Sequence, residues 1–99
     1  MRKITEEQRE QLENEQIIGR KAKSTYEAYI KDFVTNKRQS LFMAFSELPL
    51  SAEKELMEVK RMLFAIDTLE AEIVSQIDTG RMATQVLEEA EPEQPKEVH

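Results

Sequence analysis

A single proline turn divides this chain into two long stretches that are patterned as helices. The turn reads Leu48-Pro49-Leu50-Ser51. Proline ends a helix because it lacks an amide hydrogen and restricts the backbone of the residue before it. The sequence therefore predicts an all-α fold, an antiparallel two-helix hairpin whose helices pack like a coiled coil.

The boundaries of the predicted domain follow from local helix signals. The hairpin is expected to span residues 1–89, with arms at about 5–47 and 51–88 and the turn at 48–51. Thr5 and Gln8 have the spacing of a capping box, and Ser51 has the side chain of a good helix N-cap. Residues 90–99 are acidic, contain two prolines and show no apolar period, so we expect a disordered tail there.

Apolar residues at helical spacing predict a core stripe on each arm. On the first arm the stripe consists of Tyr26, Tyr29, Ile30, Phe33 and Val34. On the second arm it consists of Leu56, Val59, Met62, Leu63, Ile66, Leu69, Ile73, Val74 and Ile77. Folding about Pro49 brings the two stripes together along one seam.

The same folding sets Gly19 level with Gly80. Glycine in a helix interior costs about 1 kcal/mol relative to alanine. We therefore predict that both arms kink, fray or end at this height, with short terminal helices beyond Gly19 and Gly80.

Charge is spread unevenly along the chain, whose net charge is −6. Residues 19–46 carry six basic and two acidic residues, a net charge of +4, whereas residues 47–99 carry five basic and thirteen acidic residues, a net charge of −8. One interpretation is that the oppositely charged arms attract each other. The other is a basic stripe for nucleic acid, formed by Arg20, Lys21, Lys23, Lys37 and Arg38. We favour the first, because the acidic arm would repel phosphates.

Glu70 falls on the inward-facing stripe of the second arm, in step with Leu63 and Ile77. A carboxylate in that position must bind a polar partner or remain hydrated. The register of the hairpin places Tyr29 and Lys31 nearby as candidate partners. A carboxylate that fixes the register of the helices is favoured over a catalytic acid.

The sequence contains no residue pattern typical of an enzyme, a metal site or a cofactor site. His99 is the single histidine, there is no cysteine, and the two glycines are isolated from each other. These features leave a catalytic relay, a metal site and a phosphate-binding loop unsupported. We expect a non-enzymatic protein without a cofactor or a bound metal.

The sequence also predicts no membrane partner and no export. No apolar run approaches the roughly 18 residues that are needed to cross a membrane. The N-terminus is charged from its first residues and lacks the apolar region of a signal peptide.

A second apolar seam is the most useful sign of a partner. Met57, Phe64 and Ala71 recur every seven residues, away from the core stripe of the second arm. Together with Ile17, which also points off the main face, they form a candidate interaction face. A scatter of exposed apolar residues is the alternative. A thin two-helix core without a disulfide or a metal favours self-association.

Several segments in order resemble a family of small, largely uncharacterised helical proteins encoded by tailed bacteriophages. The segments are Ile18-Gly19-Arg20-Lys21-Ala22, the aromatic helix from Tyr26 to Phe45, the turn Leu48-Pro49-Leu50-Ser51, Glu53-Lys54-Glu55-Leu56, and Thr79-Gly80-Arg81-Met82-Ala83. The resemblance covers about seventy residues, from Ile17 to Leu87. The family often carries a tryptophan in the first helix, and this chain has none.

This resemblance implies a role in virion or head assembly, and a location in the host cytoplasm or the virion. The expected partner is a second copy of the chain, forming a homo-oligomer, or another phage protein. One alternative is a small acidic inhibitor that binds a host protein and mimics the charge of nucleic acid. A second alternative is a DNA-packaging adaptor, although the sequence has no helix-turn-helix pattern and nucleic acid is not the expected partner.

Overall fold

The computed structural model describes residues 3–90, which form two long helical arms that run antiparallel to each other. The first arm consists of α1 (Glu6–Thr25), a π-helical segment (Tyr26–Ile30) and α2 (Lys31–Glu47). The second arm is α3 (Glu53–Glu89). The molecule measures 79 × 22 × 17 Å, so its width admits two helices side by side in a single layer. The predicted all-α hairpin is confirmed.

The two helix starts differ in how well the sequence predicted them. The Thr5 hydroxyl accepts the Gln8 amide at 3.0 Å and the Thr5 amide donates to the Gln8 side chain at 2.8 Å, which confirms the capping box. The prediction that Ser51 caps the second arm is wrong. The Ala52 amide donates to the Pro49 carbonyl at 2.9 Å, and this bond holds Leu50 and Ser51 in a turn. Ala52 therefore precedes α3, and it supplies no side-chain cap.

Both arms are continuous helix through their glycines, so the predicted end of the helices at this height is wrong. Gly19 and Gly80 are buried and face each other across the seam. Without side chains, the two backbones approach closely and fill the space that β-carbons would need. This packing offsets the low helix propensity of glycine. The prediction took account of the propensity and not of the packing.

The inward-facing positions on α3 are spaced alternately three and four residues apart over its whole length. These buried or half-buried positions are Leu56, Val59, Leu63, Ile66, Glu70, Ile73, Ile77, Gly80, Thr84 and Leu87. The spacing is that of a coiled-coil seam, which is narrower than a general amphipathic stripe. Leu69 is therefore 52% exposed, and Met62 and Val74 are 38% and 37% exposed, although all three were predicted in the core.

The π-helical segment shifts the seam of the first arm by one residue. The Lys31 amide donates to the carbonyl of Tyr26, five residues back rather than four, so this turn holds one extra residue. The inward positions are Leu12, Glu15, Gly19, Ala22 and Tyr26, followed by Ile30, Val34, Leu41, Ala44 and Leu48. Tyr29 and Phe33, which were predicted in the core, are 80% and 65% exposed because the seam moves to Ile30 and Val34.

The chain beyond α3 was predicted to be a disordered tail over residues 90–99. Ala90 is described and is buried, so the predicted tail begins one residue too early. Residues 91–99, where the rest of this prediction falls, lie outside the described residues.

Candidate interaction surfaces

The hairpin has two sides, one on each flank of the seam, and they differ in chemistry. On one side, a groove between the arms is lined by residues that include Arg20, Lys23 and Arg81, and we call this the polar side. On the opposite side, the groove is lined mainly by apolar groups, and we call this the apolar side. Its lining consists of Ile18, Lys21, Ala22, Thr25, Ile30, Ile73 and Gln76.

A hydrogen-bonded network around Glu70 joins the two arms near the middle of the hairpin. One carboxylate oxygen, Oε2, accepts the Tyr26 hydroxyl at 2.8 Å, and the other, Oε1, accepts Arg38 Nη2 at 2.7 Å. Arg38 Nε also donates to Asp67 Oδ1 at 3.0 Å. The inward position of Glu70 agrees with the sequence analysis. Its partners do not, because the π-helical segment turns Tyr29 outward and leaves Lys31 on the exposed surface.

This network changes the proton affinity of its members in a consistent direction. The pKa of Glu70 is lowered, first because the Tyr26 hydroxyl donates to its carboxylate and second because Arg38 does. The same hydrogen bond raises the pKa of Tyr26. The pKa of Arg38 is raised by its hydrogen bonds to Glu70 and Asp67. The carboxylate is thus held in its ionised form, which suits a fixed structural contact between a basic and an acidic arm.

No cluster of acidic, histidine or cysteine side chains that could hold a metal ion occurs among residues 3–90. Both oxygens of Glu70 already accept hydrogen bonds from the protein. The arrangement around Glu70 can therefore link the helices.

The second seam lies on the exposed surface of α3, on the polar side. Phe64 is 73% exposed and Met57 is 54% exposed, and Ala71 is exposed as well. Phe64 is three residues from Asp67, which pairs with Arg38 across the polar side, and this spacing sets the side on which the seam lies. Phe42 and Phe45 of α2 add exposed aromatic surface near the turn.

The structure does not bring Ile17 together with the second seam. Ile17 is 47% exposed on α1, two residues before Gly19 and so close to the level of Gly80. Phe64 is sixteen residues before Gly80, a distance of roughly 24 Å along a helix that rises 1.5 Å per residue. The four residues of the candidate interaction face therefore form two separate surfaces.

The apolar side carries exposed residues that the sequence analysis had assigned to the core or had not assigned. Ile18, Phe33 and Leu69 are each more than half exposed, Met62 is 38% exposed, and Tyr29 lies at the outer border of this side. Ile18 lines the groove on this side, and Phe33, one residue before the seam position Val34, flanks the seam as Ile18 flanks Gly19. The seven-residue spacing of Met62 and Leu69 was the signal in the sequence that could have identified this surface.

The candidate basic stripe is divided between the two sides of the hairpin. Arg20 and Lys23 line the polar side, whereas Lys21 lines the apolar side. Arg38 is paired with Asp67 and Glu70, and Lys37 next to it is exposed. The five residues therefore do not form one continuous row, and Arg38 would have to give up two carboxylate partners to contact a phosphate.

In comparisons with protein-family models, curated proteins and solved structures, nothing matches this chain. None of the helices within residues 3–90 combines the length and the apolar character that crossing a membrane requires.

Proposed function

We propose that this protein is a non-enzymatic helical-hairpin subunit that acts by helix-face association, in the assembly of a virion or phage head. The observation that carries the proposal is the amount of apolar surface on the two sides of the hairpin. Fourteen large hydrophobic residues are exposed in the described part of the chain, whereas five hydrophobic residues are buried. Single exposed apolar residues are normal on protein surfaces, but these residues are grouped along the helices.

The shape of the hairpin explains why association would stabilise it. A single layer of two helices buries only one face of each, and small scaffolds with so thin a core usually need an additional source of stability. The chain has no cysteine for a disulfide. Packing the exposed faces against further helices supplies about 25 cal/mol for each Å² of apolar surface removed from water.

The second seam indicates what kind of surface it would contact. Met57, Phe64 and Ala71 repeat every seven residues, which is the spacing that packs against another helix in a left-handed bundle. The chain itself supplies helices with this repeat, since α3 follows it over its whole length. We therefore propose that the second seam packs against a further copy of the hairpin in the assembled oligomer.

The phage role rests on the sequence resemblance. Two of the segments that carry the resemblance are centred on Gly19 and Gly80, which meet where the two backbones come close together. These segments are thus part of what holds the hairpin together, and a shared hairpin is the property that the resemblance supports. Assembly into a particle is the use of that hairpin that best fits its exposed faces.

The experiment is to measure the native mass of the full chain by size-exclusion chromatography with light scattering, at low and at high salt. We expect a discrete oligomer that persists at high salt, because apolar packing is not screened by ions. A stable monomer at both salt concentrations would contradict the proposal and favour the acidic inhibitor of a host protein.

A further inference from the structure

We infer that the apolar side of the hairpin binds a second copy of the chain, to form a four-helix bundle whose two-fold axis is parallel to the helices. The two turns then lie at the same end of the bundle. This inference rests on the proposed function, and it adds the partner, the face and the orientation.

The distribution of charge beside the seam identifies the face. On the apolar side, the positions that flank the seam are uncharged over most of the hairpin, and Glu47 and Glu55 beside the turn are the charged ones in this series. The uncharged positions are Gln11, Ile18, Thr25, Phe33, Ser40, Met62, Leu69, Gln76 and the buried Ala83. On the polar side, the equivalent positions include Lys23, Lys31, Arg38, Lys60, Asp67 and Arg81. A two-stranded coiled coil in water carries charges on both flanks of its seam. An apolar stripe that is widened on one flank only is typical of helices in a larger bundle.

The register of the hairpin provides matching positions on the two arms. Gly19 is level with Gly80, and the π-helical segment adds one residue to the first arm beyond that point. Phe33 is then level with about residue 67 of α3, between Met62 and Leu69. When the two-fold axis is parallel to the helices, the first arm of one copy faces α3 of the other at the same level. Phe33 of one copy would therefore enter the space between Met62 and Leu69 of the second copy, as a knob enters a hole.

The charge of the arms selects this axis over the alternative. Residues 19–46 of the first arm have a net charge of +4, from six basic and two acidic residues. Residues Glu53–Glu89 carry four basic and nine acidic residues, a net charge of −5. An axis parallel to the helices places the basic arm of each copy against the acidic arm of the other. An axis across the helices would place like-charged arms against each other, which is unfavourable.

Cross-linking between two single-cysteine variants tests the geometry, since the natural chain has no cysteine. One variant carries Thr25→Cys and the other carries Gln76→Cys, two exposed positions that line the groove on the apolar side. The two variants are unfolded together, refolded as a mixture and treated with a short bis-maleimide. We expect cross-linked dimers at the statistical yield of mixed dimers, and none from either variant alone.

The matched control mixes a Lys23→Cys variant with a Val74→Cys variant. Both positions flank the seam on the polar side, and their heights along the hairpin differ by as much as those of Thr25 and Gln76. We expect no cross-linked dimer from this mixture at protein concentrations where the chain is a dimer. Phe33→Glu should weaken the dimer roughly tenfold or more, because it places a charge where an aromatic anchor is buried. Its helicity should be unchanged, because Phe33 is 65% exposed in the single hairpin.

The outcomes separate this inference from the proposed function. If the control pair is cross-linked and the Thr25 and Gln76 pair is not, the inference is overturned. The proposed function would stand in that case, because the chain would still be an oligomer. Cross-linking of either variant with itself would overturn the proposed axis. Absence of all cross-links together with a monomeric native mass would overturn both the inference and the proposed function.

Discussion

A β-carbon on Gly19 would lie 2.7 Å from the Cα atom of Gly80, and a β-carbon on Gly80 would lie 2.7 Å from the Cα atom of Gly19. Such β-carbons would also lie about 3 Å from the carbonyl oxygens of Gln76 and Glu15 on the facing helix. All these neighbours are backbone atoms, which cannot move aside as a flexible side chain can. The two glycines therefore set the distance between the arms at this level.

Gly19→Ala should destabilise the hairpin even though alanine is the better helix former. Alanine gains about 1 kcal/mol in helix propensity, but overpacking against a backbone costs about 1–3 kcal/mol, and we expect the clash to prevail. Urea unfolding followed by circular dichroism, at fixed protein concentration, measures the difference. Ser24→Ala, at an exposed position of α1, is the control and should be neutral or slightly stabilising. A Gly19→Ala variant more stable than the natural chain would show that the arms do not approach this closely.

Deleting Ala28 should be tolerated, and we expect it to raise the melting temperature. Removing one residue from the π-helical segment leaves Tyr26, Ile30 and Val34 at regular coiled-coil spacing in a continuous α-helix. The seam after the deletion point keeps the same residues facing inward. Thermal unfolding followed by circular dichroism measures the change.

Deletion of Gln39 is the matched control for this prediction. Gln39 lies in the regular helix α2, so its loss would turn Leu41 and the residues after it away from the seam. We expect this variant to lose much of its stability. If the two deletions lower the melting temperature equally, the extra residue does not lie in the π-helical segment.

The sequence predicted the helices and their pairing, because a proline turn and regular apolar spacing act locally and are visible in the chain. It did not predict the π-helical segment, since nothing in Tyr26-Glu27-Ala28-Tyr29-Ile30 distinguishes it from ordinary helix. The assignments of Tyr29 and Phe33 were wrong for that reason. The predicted roles of the two glycines were also wrong, because helix propensity is a property of a single residue whereas the contact between the glycines depends on both residues. The partners of Glu70 followed from the shifted seam and could not be found without it.

The stability contributed by Glu70 should depend on pH. Its pKa in the folded chain is below the ordinary value of about 4.5, so its ionised form stabilises the hairpin above that pH. This contribution is lost as the pH falls through the lower pKa of the folded state. Glu70→Gln removes the charge and should lower the free energy of unfolding by about 1 kcal/mol near neutral pH.

Urea unfolding of the natural chain and of Glu70→Gln, at about pH 7 and at about pH 3, measures this dependence. We expect the difference between the two proteins to shrink at the lower pH, because Glu70 loses its charge as the pH falls through its lowered pKa. A difference that stays constant between the two pH values would show that Glu70 is not held ionised by Tyr26 and Arg38.

Phe64→Glu should lower the native mass of the oligomer and leave the helical content unchanged. Phe64 is 73% exposed in the single hairpin, so its replacement removes little from the core. The charge would instead lie in the proposed contact of the second seam with a further copy. Ser75→Glu adds the same charge at an exposed position of α3 outside that seam and serves as the control. An unchanged mass for Phe64→Glu would remove the second seam from the assembly.

Native mass is the most direct test that the hairpin functions by association. Light scattering of the full chain, at low and at high salt, compares the particle with the 11.6 kDa of one chain. We predict a discrete oligomer, of at least two chains, whose mass does not change with salt. A particle with the mass of one chain under both conditions would contradict the proposed assembly role, because the exposed faces of the hairpin would then remain in water.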